Sequence, residues 1–146
     1  MNTKCGPWEL AGDLLYRSTC RVKMAAVIVD QQSRVFAWGW NHCGVSGLGM
    51  CAERHAIQRA NPSRLRGSTI HVRGWNGVNE SVSLPCRKCY RQLVKAGVER
   101  IECMNNFKFQ ITVPLSSLDL ENLIVLKGRG NSPEDLTSIL RGKEQS

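Results

Sequence analysis

The chain has 146 residues, 42% of them hydrophobic, and a formal charge of +8 from 20 lysines and arginines against 12 aspartates and glutamates. This length suits a single domain over residues 1–146, and no run approaches the ~20 apolar residues of a membrane span. The first residues lack the apolar core of a secretory signal, so we expect a cytoplasmic protein without a membrane partner. The charge favours phosphate-bearing partners, although the basic residues are spread along the chain, which is equally typical of a solvated surface.

Strand-like and helix-like segments alternate along the sequence. Short runs with β-branched residues between polar breaks predict strands, and runs of helix formers bounded by Pro or Gly predict helices. The first half of the chain is predicted to contain a helix with leucines at 10, 14 and 15, strands at 22–30 and 34–40, a glycine-rich loop at 41–49 and a helix at 51–60. A strand at 68–73, a polar loop at 74–83 that contains Trp75 and a helix at 85–96 are predicted to follow. The last part is predicted to contain strands at 98–104, 107–113 and 123–126, a short helix at 114–120, and a short helix or tail at 128–146. Such alternation predicts a layered α/β domain.

The chain has seven cysteines. An odd number without an export signal disfavours a disulfide framework and favours metal or thiol chemistry. Those at positions 5, 20, 43 and 103 lack ligand-like spacing, and we expect them to be small buried hydrophobes.

The remaining three cysteines form a pattern with chemical meaning. Cys86 and Cys89 lie three residues apart at a predicted helix start, on one face and near the positive end of the helix dipole, where thiolates are favoured. Alone, this pair fits a redox motif or chance, but Cys51 opens another predicted helix two residues before Glu53. Three ligands leave one tetrahedral position for water, as in catalytic zinc sites. Glu53 can then carry protons, the alternative being a surface carboxylate at a helix start.

The segments Cys51-Ala52-Glu53 and Pro85-Cys86-Arg87-Lys88-Cys89 together resemble the zinc-dependent cytidine and deoxycytidylate deaminase superfamily. The resemblance implies a three-layer fold, with a central mixed sheet of about five strands and helices on both faces. It implies Zn²⁺ as cofactor, attack of hydroxide on C4 of cytosine, proton transfer by Glu53, and release of ammonia. It also implies that the zinc helices lie side by side and that the chain forms homo-oligomers.

Within that superfamily the substrate is less sharply indicated. Cys51 as first ligand and Arg54 after the glutamate resemble the free-nucleoside enzymes, in which the arginine hydrogen-bonds the ligand thiolates. Gly39-Trp40-Asn41 resembles instead the turn of deoxycytidylate and tRNA-type deaminases, in which Asn contacts the sugar, and the sugar clamp of the nucleoside enzymes is missing after Asn41. The substrate-binding residues implied by the resemblance are Asn41, Ala52, Trp75 and Leu84. Trp75 could equally cover the core.

Three functions stay open: a deaminase of free cytidine, deoxycytidine or (d)CMP, as in pyrimidine salvage; an editor of cytosine in single-stranded DNA or RNA; and a non-catalytic zinc module. We favour a small nucleoside or nucleotide, because neither loop, 41–49 or 74–83, alternates several aromatic with several basic residues as single-strand tracks do. We further expect one of Trp38 and Trp40 to be in the core. We expect a local hydrogen bond for each of the three histidines, at positions 42, 55 and 71. The alternative for His42 and His55 is contact with the substrate or support of the metal.

Overall fold

The structure is a computed structural model that describes residues 6–43, 49–105 and 108–117. Its elements are α1 (Pro7–Leu14), a 3₁₀ turn (Leu15–Arg17), β1 (Lys23–Val29), β2 (Val35–Trp40), α2 (Ala52–Arg59), α3 (Pro62–Leu65), β3 (Thr69–Trp75), β4 (Glu80–Ser81), α4 (Arg87–Ala96), β5 (Arg100–Met104), β6 (Gln110–Pro114) and a second 3₁₀ turn (Leu115–Ser117). None of the helices in these ranges is long and apolar enough to cross a membrane.

The strands form one mixed sheet in the order β2-β1-β3-β5-β6, with the two-residue β4 beside β3. The β3–β5 pair is parallel, and the other pairs are antiparallel. The connection from β3 to β5 carries α4, as a parallel crossover requires. A mixed sheet of about five strands is therefore confirmed.

Alternating residues of β1 build two cores, one on each face of the sheet. Ala26 and Ile28 point into the larger core, which α2 and α4 cover. Ala25, Val27 and Val29 point to the opposite face, where α1 packs with Ala11 and Leu14. The period of two along a buried strand thus produces the predicted three layers.

The ends of α4 follow the signals in the sequence. Pro85 precedes the N-cap residue Cys86, and the helix ends at Gly97, whose φ of +93° is the left-handed conformation that glycine adopts without strain. The backbone N–H of Gly97 closes the last turn on the carbonyls of Leu93 and Val94.

Two segments differ from the prediction, and two others lie outside the described residues. Trp75 is the last residue of β3 and not part of a loop, because the chain turns back immediately to pair β4 with β3. The short α3 was not predicted; the side chain of Asn61 caps it. The predicted strand at 107–113 appears as β6, whereas the predictions for 123–126 and 128–146 lie outside the described residues.

Cys20 and Cys43 form a disulfide, so the expectation that they are isolated buried hydrophobes is wrong. Their Cα atoms lie 5.4 Å apart although 23 positions separate them in sequence. Cys20 precedes β1 and Cys43 follows β2, and the antiparallel hairpin brings the two flanking segments together. Cys103, by contrast, is a fully buried core residue of β5, as predicted. Cys5 lies outside the described residues.

Candidate active site

Three cysteines from two helix N-termini meet on one face of the sheet. Cys51 is the N-cap residue of α2, Cys86 is the N-cap residue of α4, and Cys89 lies in the first turn of α4. Their sulfur atoms all lie within 4.8 Å of one another. The structure thus brings together the three residues that the sequence predicted as ligands.

The position of Cys51 depends on a close approach between α2 and β2. A Cβ atom added at Gly39 would lie 2.5 Å from the backbone nitrogen of Ala56 and 2.9 Å from the carbonyl oxygen of Ala52. Only glycine lets a helix backbone lie so close to a strand. The first turn of α2, and with it Cys51, is thereby held against the sheet.

The cluster suits zinc in its geometry and its donor chemistry. Tetrahedral zinc with Zn–S bonds of about 2.3 Å holds its sulfurs about 3.8 Å apart, so a small contraction of this cluster suffices. Cys86 Sγ already accepts the backbone N–H of Cys89 at 3.4 Å. Burial raises the pKa of the Cys51 and Cys89 thiols, and the Glu53 carboxylate raises both further. A cation bound between the sulfurs would oppose this effect and favour the thiolates.

Glu53 lies in the first turn of α2 beside the sulfurs. Its side chain is buried, with 5% of the residue exposed. Its charge also contributes, after burial, to raising the pKa of the Cys103 thiol to about 12. A buried carboxylate this close to three sulfurs occupies the place that the sequence assigned to the proton carrier.

A pocket of about 370 Å³ opens in front of the cysteines. Glu53 and three of the four predicted substrate-binding residues, Asn41, Ala52 and Leu84, line it together with the cysteine cluster. The rest of the wall consists of His42, which the sequence offered as an alternative substrate contact, and of groups without a sequence signal: Met24, Gly49, Met50 and the Cys20–Cys43 disulfide.

Asn41 lines this pocket, but its amide is already engaged with the protein. Its Oδ1 accepts the hydroxyl of Ser18 at 2.5 Å and the backbone N–H of Met24 at 2.8 Å. Its Nδ2 donates to the carbonyl of Val22 at 2.9 Å. Asn41 therefore connects the end of β2 to the segment before β1. Its second amide proton remains available to donate a hydrogen bond to a sugar.

Residues 9–105 match the family described as "cytidine and deoxycytidylate deaminase zinc-binding region". The chain belongs to this deaminase family. The matched residues include both cysteine motifs, and the chain is an enzyme of the cytidine deaminase type. We refer to the pocket in front of the cysteines, the candidate active site, as the active-site pocket. No curated protein matches the chain in sequence.

Solved structures of cytidine deaminases share the fold of this family member. The Burkholderia pseudomallei cytidine deaminase is 19% identical, with a TM-score of 0.59 over 81% of this chain and 96% of the other. The Mycobacterium leprae cytidine deaminase is 17% identical, with a TM-score of 0.58 over 76% and 92%. The dCMP deaminase of cyanophage S-TIM5 is 20% identical, with a TM-score of 0.52 over 69% and 82%.

Two predicted site residues lie elsewhere in this deaminase. Trp75 does not line the active-site pocket; it borders a separate depression beside α1, next to Arg73 and Glu80. Arg54 lies in the groove between α2 and α4, and no hydrogen bond joins it to a ligand sulfur within the described residues. Its predicted contact with the thiolates stays a prediction.

The three histidines of the deaminase have different surroundings. His55 Nδ1 lies 3.2 Å from the backbone nitrogen and oxygen of Trp40, and His71 Nδ1 lies 2.6 Å from Glu102, so local bonding is confirmed for both. Burial lowers the pKa of His55, and the charge of Arg59 lowers it further. His42 differs from the expected local bonding, because its buried Nδ1 has no hydrogen-bond partner among the described residues. His42 also lines the pocket.

Proposed function

We propose that the chain is a zinc-dependent hydrolytic deaminase that converts cytosine to uracil and ammonia, acting on free cytidine, deoxycytidine or (d)CMP. The observation that carries this proposal is the meeting of three cysteine sulfurs and the buried Glu53 in one pocket. A structural zinc site has four protein ligands, whereas three ligands beside a pocket and a carboxylate are typical of a catalytic one.

Cys51, Cys86 and Cys89 would hold the metal. Zinc bound there supplies a Lewis acid that lowers the pKa of water toward ~7 and so provides hydroxide at neutral pH. The two helix N-termini that carry these cysteines direct backbone N–H groups and the positive ends of their dipoles at the same point, which stabilises the thiolates.

Glu53 moves the protons of the reaction. Its carboxylate accepts a proton as water oxygen bonds to C4 of the base, and it delivers a proton to N3. It then accepts the proton of the hydroxyl now bonded to C4 and donates that proton to the amino group, as the C4–N bond breaks and ammonia leaves. The net change is cytosine plus water to uracil plus ammonia, so the carboxylate ends in its initial state.

The wall of the pocket supports a single cytosine unit as the bound group. Met24, Met50 and Leu84 offer apolar surface to a base, and the volume of about 370 Å³ lies near the lower end of the roughly 300–1,000 Å³ of small-molecule sites. Cys51 as first ligand supports the same choice through its resemblance to the free-nucleoside enzymes.

The decisive experiment measures ammonia release from cytidine, deoxycytidine, CMP and dCMP, beside uracil formation in a cytosine-containing single-stranded oligonucleotide. We expect turnover of at least one free substrate, about one zinc per chain, and loss of both in Cys86→Ala. Full zinc content and activity in Cys86→Ala would refute the ligand assignment. Zinc binding without turnover of any substrate would favour the non-catalytic module.

Two further expectations stay predictions alongside this function. Self-association into homo-oligomers is checked by light scattering, and a cytoplasmic location by microscopy of the tagged chain.

A further inference from the structure

Five side chains form an alternating series of rings and cations, in the order Tyr16, Arg17, Trp40, Arg59, Trp38; we refer to it as the aromatic–arginine row. The Arg17 guanidinium carbon lies 5.5 Å from the ring centroid of Tyr16 and 5.1 Å from that of Trp40. The Arg59 guanidinium carbon lies 5.4 Å from the ring of Trp40 and 5.6 Å from that of Trp38. Each arginine thus lies within cation–π distance of two aromatic rings.

The row lies at the surface. Tyr16 is 73% exposed and Trp38 38% exposed, and both arginines are exposed. Trp40 is partly buried, so neither tryptophan of β2 belongs to the buried core, and the expectation that one of them would is wrong. The reason is that Gly39, which lies between them, faces α2 on one side of the edge strand β2. The two indoles therefore point to the other side of this strand and contact the arginines.

The arginines of the row differ from the other ring-stacked arginines among the described residues. Arg64 lies over Phe36 and Arg73 over Trp8, but Asp30 and Glu80 neutralise them. The ion pairs between described residues include neither Arg17 nor Arg59. Cations that rings orient and no described carboxylate neutralises are suited to binding phosphate.

Aromatic rings connect the row to the active-site pocket. The ring centroid of His55 lies 4.6 Å from that of Trp40 and 5.1 Å from that of His42, both in edge-to-face geometry. His42 lines the pocket in front of the cysteines. Two successive ring contacts therefore separate Trp40 of the row from a residue of the pocket wall.

We propose that the aromatic–arginine row binds single-stranded nucleic acid, with bases stacked on the rings and phosphates held by Arg17 and Arg59. Single-strand binding surfaces stack unpaired bases on aromatic rings and bind the charged backbone with cations. The bases of a duplex are paired and are not free to stack in this way. A free nucleotide has one base and one phosphate, fewer groups than the row can bind. The net charge of +8 supports a polyanionic partner. As an extension of the proposed function, a cytosine of the bound strand would enter the pocket.

The test is fluorescence anisotropy with a labelled oligothymidylate of twelve nucleotides, which contains no cytosine and so reports binding apart from deamination. We expect Trp38→Ala to weaken binding about fivefold or more, and Trp38→Phe, which keeps a ring, to restore most of it. The double variant Arg17→Ala, Arg59→Ala should reduce the salt-dependence slope by about 1.4.

The matched control is Arg91→Ala, which removes one charge from an exposed position on α4. Its binding should stay closer to that of the parent protein than the binding of Arg17→Ala or Arg59→Ala, with unaltered circular dichroism in all variants. Equal losses in all three would mean that net charge alone acts, and would overturn the proposal. Affinity for duplex DNA equal to that for the single strand would overturn it as well.

The outcomes separate this proposal from the proposed function. Turnover of free cytosine substrates without oligothymidylate binding would remove the row as a nucleic-acid surface and leave the deaminase intact. Binding that depends on the row, without turnover of any cytosine substrate, would refute the deaminase and leave the row as a nucleic-acid surface. Uracil formation in a cytosine-containing oligonucleotide that falls in Trp38→Ala, with turnover of free substrates unchanged, would support both.

Discussion

Glu53 is buried, and burying a carboxylate costs free energy because the charged group loses its hydration. We predict that Glu53→Ala keeps its zinc and its fold but loses at least about 100-fold in kcat/KM, because the side chain carries protons and binds no metal. Steady-state kinetics and metal analysis of the purified variant measure both quantities.

A suitable control is Glu99→Ala, an exposed carboxylate before β5, which should leave kcat/KM unchanged. Turnover by Glu53→Ala near the parent rate would contradict the proton-transfer mechanism. Loss of zinc from this variant would show that the carboxylate helps to hold the metal.

Gly39 determines how closely α2 lies on β2, and the position of Cys51 depends on it. In Gly39→Ala the added methyl would meet the backbone of Ala56 at 2.5 Å, so the helix must shift. Overpacking of this kind costs about 1–3 kcal/mol, and we predict that loss in the free energy of unfolding together with weaker zinc binding. Urea denaturation and zinc titration test this prediction.

Val35→Ala provides the comparison on the same strand, since Val35 is 38% exposed and should change stability by less than about 0.5 kcal/mol. A Gly39→Ala protein as stable as the parent, with unaltered zinc affinity, would show that the helix position tolerates the methyl group.

The Cys20–Cys43 disulfide joins the segments that flank the first hairpin, at the wall of the active-site pocket. A cross-link over 23 residues stabilises by about 3 kcal/mol in the chain-entropy treatment. We predict that the double variant Cys20→Ser, Cys43→Ser loses about this much stability in urea denaturation under oxidising conditions and keeps its zinc.

A reductant should bring the parent protein to the stability of that double variant while leaving the variant itself unchanged. Equal stability of parent and variant in oxidising buffer would mean that the bond does not form in solution.

On the scale of the whole molecule, the cysteine cluster links two helices that are distant in sequence. Cys51 caps α2, and the other two cysteines lie at the start of α4, so zinc held by all three would bind the folded chain far better than the unfolded one. At a free zinc concentration 1,000 times the Kd, binding to the folded chain raises the free energy of unfolding by about 4 kcal/mol. We predict that a chelator lowers Tm by several degrees, measured by differential scanning calorimetry.

Cys103→Ala should respond to the chelator as the parent does, because Cys103 is a core residue of β5 and no ligand. Cys86→Ala should show a much smaller response. A parent Tm that chelation does not change would contradict the metal assignment.

Patterns confined to single segments allowed most of the architecture to be predicted. The polar break between two apolar runs predicted β1 and β2 as two successive strands, and the Pro and Gly at the ends of α4 predicted its extent, because turn and cap preferences are local properties of the backbone. The cysteine cluster was also predictable, because Cys86 and Cys89 share a helix start and Cys51 opens another. The resemblance to a known superfamily then associated these two motifs with one chemistry.

Contacts between distant segments were decided only by the tertiary structure. The disulfide depends on the register of the hairpin, which sets residues 20 and 43 side by side, and no spacing rule for isolated cysteines contains that information. The aromatic–arginine row draws its members from a 3₁₀ turn, an edge strand and a helix, so its alternation is absent from any one stretch of sequence. The sequence by itself determined the local elements and the chemistry of the cysteines, because these depend on neighbouring residues. The folded chain decided which side chains from different elements share a surface, because packing alone places them there.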